Sequence, residues 1–322
     1  MRAGEPSPTK QCPVTEKGAF TMKKVVLIVL AFSLILAMTG CGSGGKEQET
    51  TLPIGESELQ ETASNVLDYI QNEGNDNADA EIEDYVLAKD TDFQCEDNED
   101  GITLLKYTGT ETSIEIPSEI GGKAVTKIGN ACFQNVPVIA VKFPDSVKEI
   151  GVAAFAYAMT LVKIELGNGL RIVGDSCFEG CSALSDIQLP EGMESIGVRA
   201  FALTAVKEIV LPDSLTNLSA GAFCMAGSLE SVSIPGSAGI VNKQVFSTCS
   251  SLKEVIIGEG VTTVEYAAFE NCPSLVSVSL PASVTDISSD AFYGSANVIL
   301  HGPAGTAAES FAQEYGFTFQ AQ

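Results

Sequence analysis

The sequence predicts a solenoid, mainly β with short turns, and three observations point to it. A 23-residue pattern is written seven times in succession over residues 138–295. Counted from the first residue of each copy as zero, apolar side chains recur at offsets 0, 3, 5, 9, 12 and 17. In the copy LVKIELGNGLRIVGDSCFEGCSA these are Leu161, Ile164, Leu166, Leu170, Val173 and Phe178; in the next they are Leu184, Ile187, Leu189, Met193, Ile196 and Phe201. Offset 17 is Phe in every copy (Phe155, Phe178, Phe201, Phe223, Phe246, Phe269 and Phe292), spaced 22 or 23 residues apart, with Phe133 as an eighth in a degenerate first unit. A period held this strictly is the signature of stacked repeats. One coil cannot bury six large apolar groups alone, whereas stacked coils cover one another.

Each part of the unit has its reason. Offsets 3 and 5 alternate as in a strand. Five copies follow offset 5 with proline (Pro144, Pro190, Pro212, Pro235 and Pro281), which ends the strand, and Gly167 and Gly258 take its place in the other two. Offset 8 is always Ser or Gly, as a tight turn requires. A second short apolar stretch follows at offsets 9 to 12, and a corner of small residues precedes the Phe.

The L-x-x-I-x-L-P start, the central V-x-x-I-G (Val147 to Gly151, Met193 to Gly197) and the A-F or C-F corner resemble the BspA-like leucine-rich-repeat family of bacterial surface proteins. The resemblance runs from about Phe93 to Phe319 and lacks the Asn or Cys at offset 8 of the general leucine-rich pattern. It implies a right-handed leucine-rich-repeat solenoid with a sheet along one face, used for binding other proteins or for adhesion.

Upstream of the repeats, Met22 opens a better secretion signal than Met1 and is the expected true start. Lys23 and Lys24 form a basic leader, and the apolar run over 25–38 is too short for a comfortable membrane span. The run ends in Met38-Thr39-Gly40-Cys41, which resembles the lipobox of bacterial lipoproteins and implies lipid transfer to the Cys41 thiol with cleavage before it. Residues 1–40 are therefore expected to be a signal peptide, 41–92 a lipid-anchored acidic linker, and 93–322 the solenoid with its caps. Without residues 1–40 the chain holds 13 basic against 40 acidic residues, a net of 27 negative charges. More than half of this lies in 46–100, where 18 acidic and 2 basic residues repel one another and extend the linker. An acidic chain has no electrostatic footprint for nucleic acid.

Within the linker, Leu59, Ala63, Val66, Leu67 and Ile70 follow a helical spacing behind Ser57. Asn75, Asn77 and Asp79 space like a calcium loop, but Ala80 and Val86 replace its glycine and its glutamate, so a solvated linker is the reading and no metal is expected. Residues 93–107 read as a hairpin turning at 97–101 that shields the first coil. At the other end Thr306 and Glu309 read as a capping box, Ala308, Phe311, Ala312 and Tyr315 as an apolar helical stripe, and Gly316 as the helix stop.

The nine cysteines do not space like a secreted disulfide framework. Cys132 and Cys177 precede the corner Phe, and Cys181, Cys249 and Cys272 share offset 20, as small buried residues do. Cys249 and Cys272 stand one coil apart in one column, within disulfide reach. The single histidine, His301, is read as following the last strand, with no Cys-His-Asp set, metal cluster or phosphate loop around it, so neither catalysis nor a cofactor is expected.

What remains is a surface. Offsets 1, 2 and 4 of the strand point outward and form the candidate binding face: Val162, Lys163, Glu165, Lys207, Val210, Lys253 and Ile256. The expectation is a lipid-anchored, extracytoplasmic module at the bacterial cell surface that binds a protein ligand or a host surface component. The alternative is a structural or carbohydrate-associated envelope protein, although no repeated aromatic column offers a sugar platform.

Overall fold

The computed structural model describes residues 85–322, and they form the stacked β coil that the repeat predicts. The linker helix, the calcium-like spacing and Cys41 lie outside the described residues.

Strands that start at offset 2 of each copy and mostly end at offset 4 build a parallel ladder, because the inward Ile or Val at offset 3 buries one face of the strand. The ladder is split into two sheets. Five strands run from Val86–Leu87 through Ser113–Glu115, Ala140–Lys142 and Lys163–Glu165 to Asp186–Ile187. Six more run from Glu208–Val210 through Ser231–Ile234, Glu254–Ile257, Ser277–Ser279 and Ile299–Gly302 to Thr318–Ala321. At the break, continued pairing would set Asp186 beside Glu208, a like-charge neighbour that sheets avoid.

The second apolar stretch is also extended, so sheet covers two sides of the coil where a sheet along one face was expected. Two-residue strands such as Glu149–Ile150, Ile172–Val173 and Ser195–Ile196 pair in parallel from coil to coil. This ladder stops between Asn217–Leu218 and Ile240–Val241. There Gly236–Ala238 winds into a short 3-10 turn and Gly239 takes φ 67°, with the small Ala238 where most copies have a larger apolar residue. The two breaks are staggered by one coil. Where one ladder is interrupted the other continues, and the corner hydrogen bonds cross both breaks: Phe201 N–H to the Ala222 carbonyl at 2.7 Å, Phe223 N–H to that of Val245 at 2.9 Å.

Between the ladders lies the phenylalanine column. All eight rings from Phe133 to Phe292 are buried, and consecutive ring centroids stand 4.6 to 5.7 Å apart with planes within 20° of parallel. Tyr107 extends the column, stacked on Phe133 at 5.1 Å, and its N–H donates to the Cys132 carbonyl as a corner Phe does in the coils above. The hairpin of Phe93–Asn98 and Gly101–Tyr107 supplies this residue and packs Phe93 against both rings. In the first coil Gly121 and Gly122, both at positive φ, make an extra hairpin between Glu119–Ile120 and Lys123–Ile128. At the far end, helix α1 (Ala307–Tyr315) buries Ala308, Phe311 and Ala312, stops at the left-handed Gly316, and sets Phe311 against Phe292. Its capping box does not close: the Thr306 hydroxyl donates back to the Pro303 carbonyl, and Glu309 accepts from the Gly305 N–H at 2.7 Å.

Every corner but the last passes twice through left-handed backbone, at offsets 15 and 19, and the last does so once, at Gly294. Ala153, Ser176, Arg199, Gln244 and Ala267 do so at the first position, and Tyr157, Leu203, Met225, Thr248 and Asn271 at the second. Such φ values cost L-residues about 1–2 kcal/mol each, and here inter-coil hydrogen bonds hold them. The Ala153 N–H donates to the Asp175 carbonyl at 2.8 Å, and the Tyr157 N–H to that of Glu179 at 2.8 Å.

Candidate interaction face

The outward positions of the first ladder are where the repeat places them, since the inward offsets 0 and 3 are buried in each copy. The break nevertheless divides the candidate residues into two groups on separate sheets. Lys163 and Glu165 belong to the first sheet, with Val162 just before their strand, and all three are half-buried. Lys163 reaches the Glu165 carboxylate at 3.1 Å and that of Asp186 at 3.7 Å. Tyr85 lies on this face, its hydroxyl donating to Glu165 Oε1 at 3.2 Å. Burial, then the Glu165 and Asp186 charges, push that phenol well above its ordinary range. This side of the face is therefore occupied by its own contacts.

Val210 and Ile256 stand on the second sheet, Lys207 and Lys253 just before its strands, and all four are exposed. Val210 is 77% exposed and Ile256 47%, in one column with Ser233 between them. Lys253 pairs with Glu230 at 2.5 Å, whereas Lys207 makes no ion pair among the described residues. The column continues through Ser279 to His301, so the histidine lies within the strand Ile299–Gly302 of this face and does not follow the last strand as expected.

The offset-20 cysteines are structural. Cys249 and Cys272 are free thiols, so the pairing left open by their spacing is not made. Each offset-20 thiol instead donates to the carbonyl of a corner Phe in the preceding coil: Cys181 to Phe155 at 3.1 Å, Cys249 to Phe223 and Cys272 to Phe246 at 3.2 Å. Ser295 makes the same bond to Phe269 at 2.7 Å, which explains why Ser and Cys interchange in this column. Burial raises the Cys181 thiol to about 12 and the Cys272 thiol to about 11, the opposite of a nucleophile's tuning.

On the corner, Arg199 binds Glu179 at 2.7 Å beside a hollow of about 160 Å³ lined by Gly221, Cys224, Met225, Gln244 and Ser247. Burial of Glu179 opposes its ionisation, but the Arg199 hydrogen bond and charge prevail and hold the carboxyl below its usual range. The hollow is smaller than the roughly 300 Å³ at which small-molecule pockets begin. Among the described residues no group of His, Cys, Asp and Glu is placed to hold a metal, and no helix is long and apolar enough to cross a membrane.

Known proteins share this architecture. The T. pallidum leucine-rich repeat protein is 25% identical over 73% of this chain and 98% of its own, with a TM-score of 0.56. A leucine-rich repeat protein from Bacteroides ovatus, 24% identical over 68% of this chain and 71% of its own, has a TM-score of 0.50 and shares the fold. No curated protein matches the chain. The model of the BspA-type leucine-rich repeat region matches residues 104–226 and 184–299 in 6 copies, which carries the pattern over more than half of the sequence. With the coil, the Phe column and the repeat in agreement, the chain belongs to the BspA-type leucine-rich repeat family.

Proposed function

We propose that the chain is a lipid-anchored module of the bacterial cell surface that binds a protein ligand or a host surface component through its second strand sheet, without catalysis. The observation that carries the reading is the outward column of Val210 and Ile256 on a sheet whose other face is buried in the core. A large apolar side chain held 77% exposed on rigid backbone gains nothing from the fold, and burial against a partner is where it contributes. The first sheet is the poorer candidate, because Tyr85, Lys163 and Glu165 already satisfy one another there.

Replacing Val210 and Ile256 together by Asp should leave circular dichroism and melting unchanged, since offset 4 faces away from the core. The affinity for a partner recovered by cross-linking with the full chain should fall at least tenfold, about 1.4 kcal/mol. A folded double variant that binds as well as wild type would move the site elsewhere.

The anchor reading is supported by the basic pair Lys23-Lys24, the apolar run and the small residues before Cys41. Acyl chains joined through that sulfur would hold the acidic linker and the coil at the membrane surface. Cys41→Ser is expected to release the protein from the membrane fraction. Mass spectrometry finding an unmodified Cys41 on the mature wild-type chain would remove the lipid anchor from the reading.

A further inference from the structure

The second strand sheet carries a period of its own, two coils long. Along one outward column the residues are Glu208, Ser231, Glu254 and Ser277; along the next they are Val210, Ser233, Ile256 and Ser279. Large and small coils therefore alternate, and the face is a row of ridges with two serine troughs, one at Ser231 and Ser233 and one at Ser277 and Ser279. Neighbouring strands lie about 4.8 Å apart, so equivalent troughs repeat at about 9.6 Å. Seven residues of α-helix rise about 10.5 Å, within about 1 Å of that spacing. A helix laid across the strands would set residues i and i+7 into the two troughs, with a small residue midway over Ile256.

Carboxylates at offsets 2 and 7 follow the same alternation, with Lys207, Glu230 and Lys253 at offset 1 outside it. Glu208 and Glu254 flank the apolar column on one side, and the exposed Asp213 and Glu259, at a shared offset just past the strand, follow it on the other. The intervening coils have Ser231, Ser277, Gly236 and Ala282 at the matching positions. The ridges are thus apolar at the centre with carboxylates at both margins; of the two lysines beside Glu208 and Glu254, Lys253 is already paired with Glu230 and Lys207 is exposed.

We propose that this face docks a basic amphipathic α-helix of a partner protein, with bulky apolar residues every seventh position and Lys or Arg along both flanks. The proposal rests on the strand face being the binding surface, and it names the partner's chemistry.

The test uses the full chain and three labelled synthetic peptides of about 21 residues, three heptads long. One has leucine at every seventh position, alanine midway and lysine on the flanks. The second is a scramble of the same composition, and the third is the patterned peptide with two alanines changed to proline. By fluorescence anisotropy the patterned peptide should bind at least tenfold tighter than either control, and more weakly as salt rises. Ser233→Leu with Ser279→Leu fills both troughs and should cancel the advantage of the pattern. Glu208→Gln with Glu254→Gln, which leaves the troughs open and changes only exposed side chains, should weaken all three peptides.

Equal binding of the scramble would reduce the effect to general attraction to an acidic protein and overturn the proposal. Equal binding of the proline peptide, undiminished binding to the trough-filled chain, or no binding at all would overturn it as well. None of these outcomes touches the loss of a native partner on changing Val210 and Ile256 to Asp, so the broader reading stands or falls separately.

Discussion

Replacing Phe201 by alanine is expected to cost about 3–5 kcal/mol of stability. The ring is fully buried, stacked at 5.2 Å on Phe178 on one side and on Phe223 on the other, with planes 17° and 6° from parallel. Its removal leaves a void inside a column whose neighbours are tied to their own coils by backbone hydrogen bonds, so the gap cannot collapse. For a chain of this size the melting temperature should fall by roughly 6 to 20 °C. Lys207→Ala, on the exposed face, should stay within about 0.5 kcal/mol of wild type. Calorimetry giving the two variants equal stability would contradict the packing of the column.

The second large effect is expected at Gly236, where alanine should cost about 1–3 kcal/mol through overpacking. A methyl at Gly236 would collide with the carbonyl oxygen of Glu259 in the next coil and stand 2.7 Å from the carbonyl carbon. Backbone on both sides of the contact is fixed by the stack, so neither group yields cheaply. Gly239, three residues on, is the control: it has φ 67° and nothing within 4 Å of its added methyl. Gly239→Ala should cost only the left-handed backbone penalty, about 1 kcal/mol. Urea unfolding of the two variants separates the cases, and a Gly236→Ala chain as stable as the Gly239→Ala chain would place the contact wrongly. Other copies carry Asp, Asn, Glu or Ala at the offset of Gly236, so the sequence by itself would pass the substitution as harmless. Only the short 3-10 turn of this coil makes it costly.

The coil, its inward columns and its terminal covers were determined by the sequence alone. The reason is that the repeat multiplies a weak local signal: a single Phe followed by a short corner says little, but eight at a fixed spacing can bury themselves only by stacking. The hairpin over 93–107 and the helix stop at Gly316 were likewise legible, because turn and cap chemistry is local. The same holds for which residues of the candidate face point outward, since alternation along a strand is local too.

Contacts between coils were decided by tertiary structure. Ala153, Ser176, Arg199 and Gln244 have no local preference for left-handed backbone; the N–H groups of the stack impose it from one coil to the next, and a linear reading has no access to that. Tyr107 stands in the Phe column without the repeat's spacing, and Tyr85 reaches Glu165 across 80 residues. The two breaks belong to the same class. They depend on which charges and which turn meet when coils are placed side by side, and the first of them divided one expected face into an occupied half and an open half.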